Sequence, residues 1–284
     1  MGKKILYSIA VFSIIGLGLY IASTFEYHEY YEECEKQSNT QGGIESCVDF
    51  MIEEAKKMIY LKDIYTKSFE EKILSVEGDK IITQDSSFYA QSGGQPGDKG
   101  VLEINDKKFN VINTVKHELG IAHVVDSENI NLSGQIKGHI DWDHRYRLMK
   151  MHTSMHLMCA ALPYYVTGGS IGLEKSRIDF DLGEETFEFE TLNKIINEFI
   201  QQSHSISYQW ITNEELDQKP ELVRTLSVKP PRTNDKIRLV KIGDIDLQPC
   251  GGTHVANTNE IGEFKFIKYE SKGKMNKRVQ FTLI

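Results

Sequence analysis

Residues 141–162 read DWDHRYRLMKMHTSMHLMCAAL, and the fold turns on how that stretch is taken. It holds no Gly or Pro before Pro163, and Asp141 or Asp143 can cap its start, so it predicts a helix. The residues before it have a different texture. From 68 to 140, short alternating apolar segments are broken by Glu77-Gly78-Asp79, Gly93-Gly94, Gly97-Asp98, Asn105-Asp106 and Ser133-Gly134. That pattern predicts five to seven short strands in a small barrel or sandwich. After the helix, Gly168-Gly169 reads as a turn and SRIDFDL (176–182) as a strand that buries Ile178, Phe180 and Leu182. Leu192, Ile195, Ile196, Phe199 and Ile200 keep helical spacing over 190–203, and 264–284 returns to strands. Strands, then a helix, then a mixture imply an α+β fold.

The helix also carries chemistry. His152 and His156 lie at i and i+4, which puts both imidazoles on one face. A zinc peptidase motif would place Glu after the first His; Thr153 stands there, which argues against that class. A second stretch, QPCGGTHVANT (248–258), sets Cys250 and His254 four residues apart in a segment too rich in Gly for a helix. Three imidazoles and one thiolate make a borderline-soft donor set that suits one Zn²⁺.

Composition bounds the rest. A chain of 284 residues can form one large domain or two modest ones. Its net charge of −8 is uneven: residues 26–57 hold nine acids against three bases, and 58–284 carry only −4. A nucleic-acid partner is therefore not excluded by charge. Four cysteines are too few for a disulfide scaffold. Cys159 reads as a buried small hydrophobe, and Cys34 and Cys47 as either a disulfide or two free thiols. Residues 5–25 contain no charge and as a helix would extend about 31 Å, roughly one bilayer core. With Lys3 and Lys4 ahead, they read as a signal-anchor-like hydrophobic helix and a possible membrane attachment, followed by an acidic spacer over 26–57 that ends in a short helix near 47–58.

Four segments in this order, FYAQSGGQPGDKG (88–100), DWDHRYRLMKMHTSMH (141–156), SRIDFDL and LQPCGGTHVANTNEIG (247–262), closely resemble the alanyl-tRNA editing proteins, free-standing relatives of the editing domain of alanyl-tRNA synthetase. The resemblance covers about 58–284. Met58 stands where such a protein would begin, so 1–57 reads as an addition or a mis-assigned start. The resemblance implies a translation-factor-like β-barrel over 58–140 and a two-layer α/β zinc-containing editing domain over 141–284. It implies hydrolysis of Ser, and in some members Gly, from mischarged alanine tRNA. It maps the metal ligands onto His152, His156, Cys250 and His254.

Further expectations rest on that reading. Gln95 in the Gly93-Gly94-Gln95 loop and Thr153 are expected catalytic residues, and Gly93, Gly94 and Ser170 are expected to bind substrate, with Thr167 as another candidate for the seryl hydroxyl. Arg145 and Arg147 beside the histidine pair, and Lys272, Lys274, Lys277 and Arg278 in the basic tract 264–278, are expected to contact tRNA phosphates. Charged tRNA places the catalytic part in the cytosol, whereas Lys3 and Lys4 favour an outward one; the chemistry is given the greater weight. The rival readings are an exported or membrane-anchored zinc-binding relative without editing activity, and a non-catalytic nucleic-acid-binding module.

Overall fold

The first element among the described residues is a one-turn helix, α1 (Ile59–Lys62), followed by a closed six-stranded barrel. The barrel strands are β1 (Ser68–Glu77), β2 (Lys80–Thr83), β3 (Gly100–Ile104), β4 (Lys107–His117), β5 (Gly120–Val125) and β6 (Gln135–Ile140). They are ordered β1-β2-β5-β4-β3-β6, and β6 closes on β1 from Ser68↔His139 to Lys72↔Gln135. Closure removes both sheet edges. Alternation supplies the interior: Phe69, Ile73, Ile81, Phe88, Leu102, Ile104, Val111, Val125, Ile136 and Ile140 form one buried cluster. This computed structural model describes residues 59–284 apart from 128–129, 184, 186, 227–235 and 274–275. The apolar run 5–25, the acidic spacer and the short helix near 47–58 lie outside the described residues, as do Cys34 and Cys47. Among the described residues, no helix is long and apolar enough to cross a membrane.

Helix α2 (Trp142–Ala161) begins where the barrel ends, and Asp141 caps it by accepting from the His144 N–H at 3.1 Å. Twelve of its twenty residues are buried, so it is a central helix with neighbours on several sides. A four-stranded sheet packs with it, ordered β12-β13-β8-β7, from β7 (Tyr165–Ser170), β8 (Ser176–Asp181), β12 (Phe264–Ser271) and β13 (Asn276–Leu283). The turn expected at Gly168-Gly169 is instead part of β7. A register shift between Val166 and Gly168 lets the glycines stay paired with Asp179 and Ile178. Helix α3 (Phe189–Gln201) buries Leu192, Ile196 and Ile200. A three-stranded sheet, ordered β11-β10-β9, is built from β9 (Ile206–Ile211), β10 (Ile237–Ile242) and β11 (Asp246–Pro249). A short helix, α4 (Asn213–Asp217), follows β9 with a capping box made by Thr212 and Glu215. One large cluster joins α2, α3 and both sheets, including Leu148, Met158, Phe180, Ile196, Val240, Phe264 and Phe281. Cys159 is buried in it, as a small hydrophobe would be.

Candidate metal centre

The strand β11 and its exit alternate three polar residues onto one face: Asp246, Gln248 and Cys250. That face meets the histidine face of α2. The side chains of His152, His156, Cys250 and His254 offer ligand atoms that all lie within 4.8 Å of one another. Cys250 Sγ is 3.5 Å from His152 Nε2 and 3.4 Å from His254 Nε2. With Zn–S near 2.3 Å and Zn–N near 2.0–2.1 Å, the S–N edge of a tetrahedral site is about 3.5 Å. The donor set therefore fits zinc in type, and both of these Cys250–histidine distances match the tetrahedral edge.

Each imidazole is oriented from behind. His152 Nδ1–H donates to Gln95 Oε1 at 2.9 Å, His156 Nδ1–H donates to Asp246 Oδ2 at 2.8 Å, and His254 Nδ1 lies 3.3 Å from Thr153 Oγ1. Holding each ring through Nδ1 turns its Nε2 toward the common point. The supporting groups are themselves tied. Gln95 Nε2 donates to Thr253 Oγ1 at 2.8 Å while its Oε1 also accepts from the Thr253 N–H. Gln248 Nε2 donates to Asp246 Oδ2 at 2.9 Å. The Thr153 hydroxyl donates to the Met149 carbonyl and accepts from the Val255 N–H.

The glycines of the second motif serve this packing. A Cβ on Gly252 would sit 2.1 Å from His152 Cε1, so only glycine lets the loop lie against that ring. Arg238 on β10 fastens the same loop, donating from Nη1 to the carbonyls of Cys250 and Gly252 at 3.1 and 2.8 Å, with its guanidinium 3.9 Å from the centroid of the Tyr208 ring.

The electrostatics are coupled. Burial pushes the Cys250 thiol up, but the imidazoles of His152 and His254 outweigh it and bring its pKa well below the usual thiol value. Burial pushes His156 down, yet the Asp246 carboxylate overrides this and raises it to about 10. Burial and the neighbouring His152 hold His254 well below the ordinary imidazole value. The fold thus favours a thiolate in the middle of the group.

Several expected residues have other places. Gln95 is 1% exposed and Thr153 is fully buried, and the hydrogen bonds they make go to protein groups. Both stand behind an imidazole. Thr167 hydrogen-bonds to the Asp179 carbonyl and Asn276 within the sheet. Gly94, at φ +85°, packs against Gly169, and its carbonyl accepts from the Ile171 N–H at 2.9 Å, which brings the Gly93-Gly94-Gln95 loop against the end of β7 at Ser170.

Arg145 corrects the expectation of a phosphate contact. It is completely buried, pairs with Asp98, and donates to the carbonyls of Ile64 and Ser87 at 2.9 and 2.7 Å. It pins α2 to the barrel and cannot reach an RNA backbone. Arg147 donates to the carbonyls of Leu173 and Leu283, and Arg278 makes a two-bonded pair with Asp179. Lys272 pairs with Glu270, Lys277 donates to Ser271 Oγ, and Lys274 lies outside the described residues. Composition alone does not single out Asp246, Gln248 or Arg238. The alternation D-x-Q-x-C before the thiol is the one sequence signal that could have found the first two.

Comparison with known proteins follows the same lines. A family model described as the threonyl and alanyl tRNA synthetase second additional domain matches residues 237–280, and one described as class II (A) tRNA synthetases matches 23–144. The alanyl-tRNA editing protein AlaX-M of Methanosarcina barkeri is 37% identical over 240 residues, 80% of this chain and 98% of that protein. AlaX-M of Saccharolobus solfataricus is 37% identical over 234 residues, 79% of this chain and 98% of its own length. The alanine–tRNA ligase of Thermococcus kodakarensis is 30% identical over 254 residues, 84% of this chain but 27% of the ligase. On these similarities the chain belongs to the alanyl-tRNA editing protein family.

Proposed function

We propose that the protein is a trans-editing hydrolase that removes Ser from mischarged alanine tRNA. The observation that carries this reading is the convergence of three imidazole Nε2 atoms on the Cys250 thiolate, in a chain of the alanyl-tRNA editing family. In the reaction, water adds to the carbonyl carbon of the aminoacyl ester, and the bond from that carbon to the ribose oxygen breaks. The ribose oxygen takes up a proton, and the free amino acid and uncharged tRNA leave.

His152, His156, Cys250 and His254 would hold one zinc ion. Such an ion supplies Lewis-acid polarisation or a water of lowered pKa when a coordination position is open, and a shaped pocket when all four protein ligands stay bound. The residues of this chain then divide the remaining work. Gln95, Asp246 and Thr153 set the ring orientations of the three histidines and act as positioning residues. Gly93, Gly94 and Ser170 form the rim on the barrel side, where a small side chain is admitted close to backbone. Lys272, Lys274, Lys277 and Arg278 contribute positive charge toward the acceptor stem. In this reading the translation-factor-like barrel spans 58–140, the editing domain spans 141–284, and the unit works in the cytosol where charged tRNA is found.

The test is deacylation of seryl-tRNA(Ala) by the full chain, as purified, after chelation and after zinc is returned. Activity that is lost on chelation and restored by zinc is the expected result. Binding of the charged tRNA with no release of serine under any of the three conditions would instead make the protein a nucleic-acid-binding module.

A further inference from the structure

One face of the three-stranded sheet carries a row that ends at the metal group and runs outward from it to the surface. Trp210 on β9 is the direct partner of Arg238 on β10, and the Arg238 carbonyl accepts from the Cys250 N–H at 3.1 Å. The row therefore runs Trp210, Arg238, Cys250 across three neighbouring positions, with Tyr208, Val240 and Gln248 in the next row. Exposure differs sharply between its first two members. Trp210 is 45% exposed, whereas Arg238 is 4% exposed and two of its nitrogens, Nε and Nη2, have no hydrogen-bond partner. A cavity of about 50 Å³ opens here, lined by Tyr60, Ser92, Lys116, Trp210, Arg238 and Cys250 among others.

An exposed indole beside a buried cation with unmet hydrogen-bonding capacity has the chemistry of a nucleotide subsite. Unpaired bases stack on aromatic faces, and arginine serves the ribose and phosphate oxygens. The cavity is too small for a nucleobase, being of the order of one or two waters. The base must then lie on the open indole, with only smaller groups passing inward. Two strand spacings, about 10 Å, separate the ends of the row. That span suits the reach from the base to the ester of a 3′-aminoacyl nucleoside.

We infer that the Trp210–Arg238–Cys250 row seats the terminal nucleoside of the acceptor end: the base stacks on Trp210, the sugar-phosphate lies over Arg238 and Lys116, and the ester is delivered at the Cys250 end. This rests on the tRNA-editing reading above. The row also accounts for Trp210 standing in the open on a sheet whose other large apolar side chains are covered or half-covered.

The experiment uses the full chain with Trp210→Ala, Trp210→Phe and Lys116→Ala, and two esters: seryl-tRNA(Ala) and serine methyl ester, which has no base. Trp210→Ala should lower the ratio of kcat/KM for seryl-tRNA over the methyl ester about tenfold, chiefly through KM, as expected for loss of one stacked base. Trp210→Phe should restore most of it. Lys116→Ala should reduce the salt dependence of KM for tRNA by a slope of about one. A ratio unchanged in Trp210→Ala, or an equal loss on both esters, overturns the subsite. A second readout does not need catalysis. The chain has two tryptophans, so Trp142→Phe leaves Trp210 as the reporter. Uncharged tRNA should quench its fluorescence, and an unquenched Trp210 overturns the subsite. A wild-type chain that quenches but never deacylates would sink the editing reading and leave the subsite standing.

Discussion

Two buried polar networks meet helix α2 at different points along its length, and they are wired in opposite senses. Around Cys250, every imidazole is held through Nδ1 and turns its Nε2 toward a shared point. At the barrel, the polar groups turn toward one another or toward nothing. Arg145 and Asp98 close a fully buried pair. His123 is stacked on Phe69 and edge-on to Phe88, with Nε2 3.3 Å from Thr83 Oγ1 and Nδ1 without a partner. Burial and histidine content therefore do not identify a site. Convergence of lone pairs does, because it leaves the network incomplete without a further atom, whereas the barrel groups gain nothing from one.

The largest effect should come from removing the thiolate. Cys250→Ala should abolish stoichiometric zinc and cost more activity than the roughly 10–100-fold typical of an outer supporting residue; metal content by atomic absorption and deacylation rates measure both. Full retention of zinc in that variant would break the contrast between the networks. On the barrel side, Arg145→Met leaves the Asp98 carboxylate buried without its partner and should destabilise the protein by about 3–5 kcal/mol in urea melts, with partial recovery in Arg145→Met/Asp98→Asn. A cost below about 1 kcal/mol would mean that water reaches the pair.

His123 gives a pH signature. Burial holds its pKa down at about 3, against 6.5 when unfolded. Between those values the unfolded chain binds the extra proton, so stability is full above pH 6.5 and declines as pH falls toward 3. At pH 4 the loss from this group is about 3 kcal/mol, and His123→Phe should remove it. Denaturation midpoints at pH 7 and 4 would show this, and parallel losses in wild type and variant would count against it. The smallest effect belongs to Asp246→Asn, which keeps an acceptor for His156 but not its charge. Zinc affinity, read by competition with a chromogenic chelator, should fall by about 10–100-fold. An unchanged affinity would assign the orientation of His156 to packing alone.

Much of the convergent network was legible because its donors follow short-range rules. His152 and His156 obey helical spacing, and Cys250 and His254 share one loop. The α+β plan was legible too, since alternation stops at Asp141 and the helix begins with the next residue. The supports were not. Asp246 reaches His156 across 90 positions, and Thr153 reaches His254 across 101. Such contacts are set by how elements pack, and local pattern is silent about that. Arg145 misled for the same reason: a charge beside a histidine pair suggests a solvent-facing side chain until Asp98, 47 residues away, is found against it. Gly168 and Gly169 read as a turn because glycine favours turns, but the bulge in β7 uses them inside a strand.

Gln95 has a consequence for dividing the chain. It belongs to a barrel loop, yet it holds His152 on α2 and both the hydroxyl and the N–H of Thr253. A fragment cut after the barrel would keep all four donors but lose the hydrogen bond that orients one of them. A chimera with a foreign barrel would work only if it delivered a glutamine to the same spot. The barrel is thus a co-owner of the metal group.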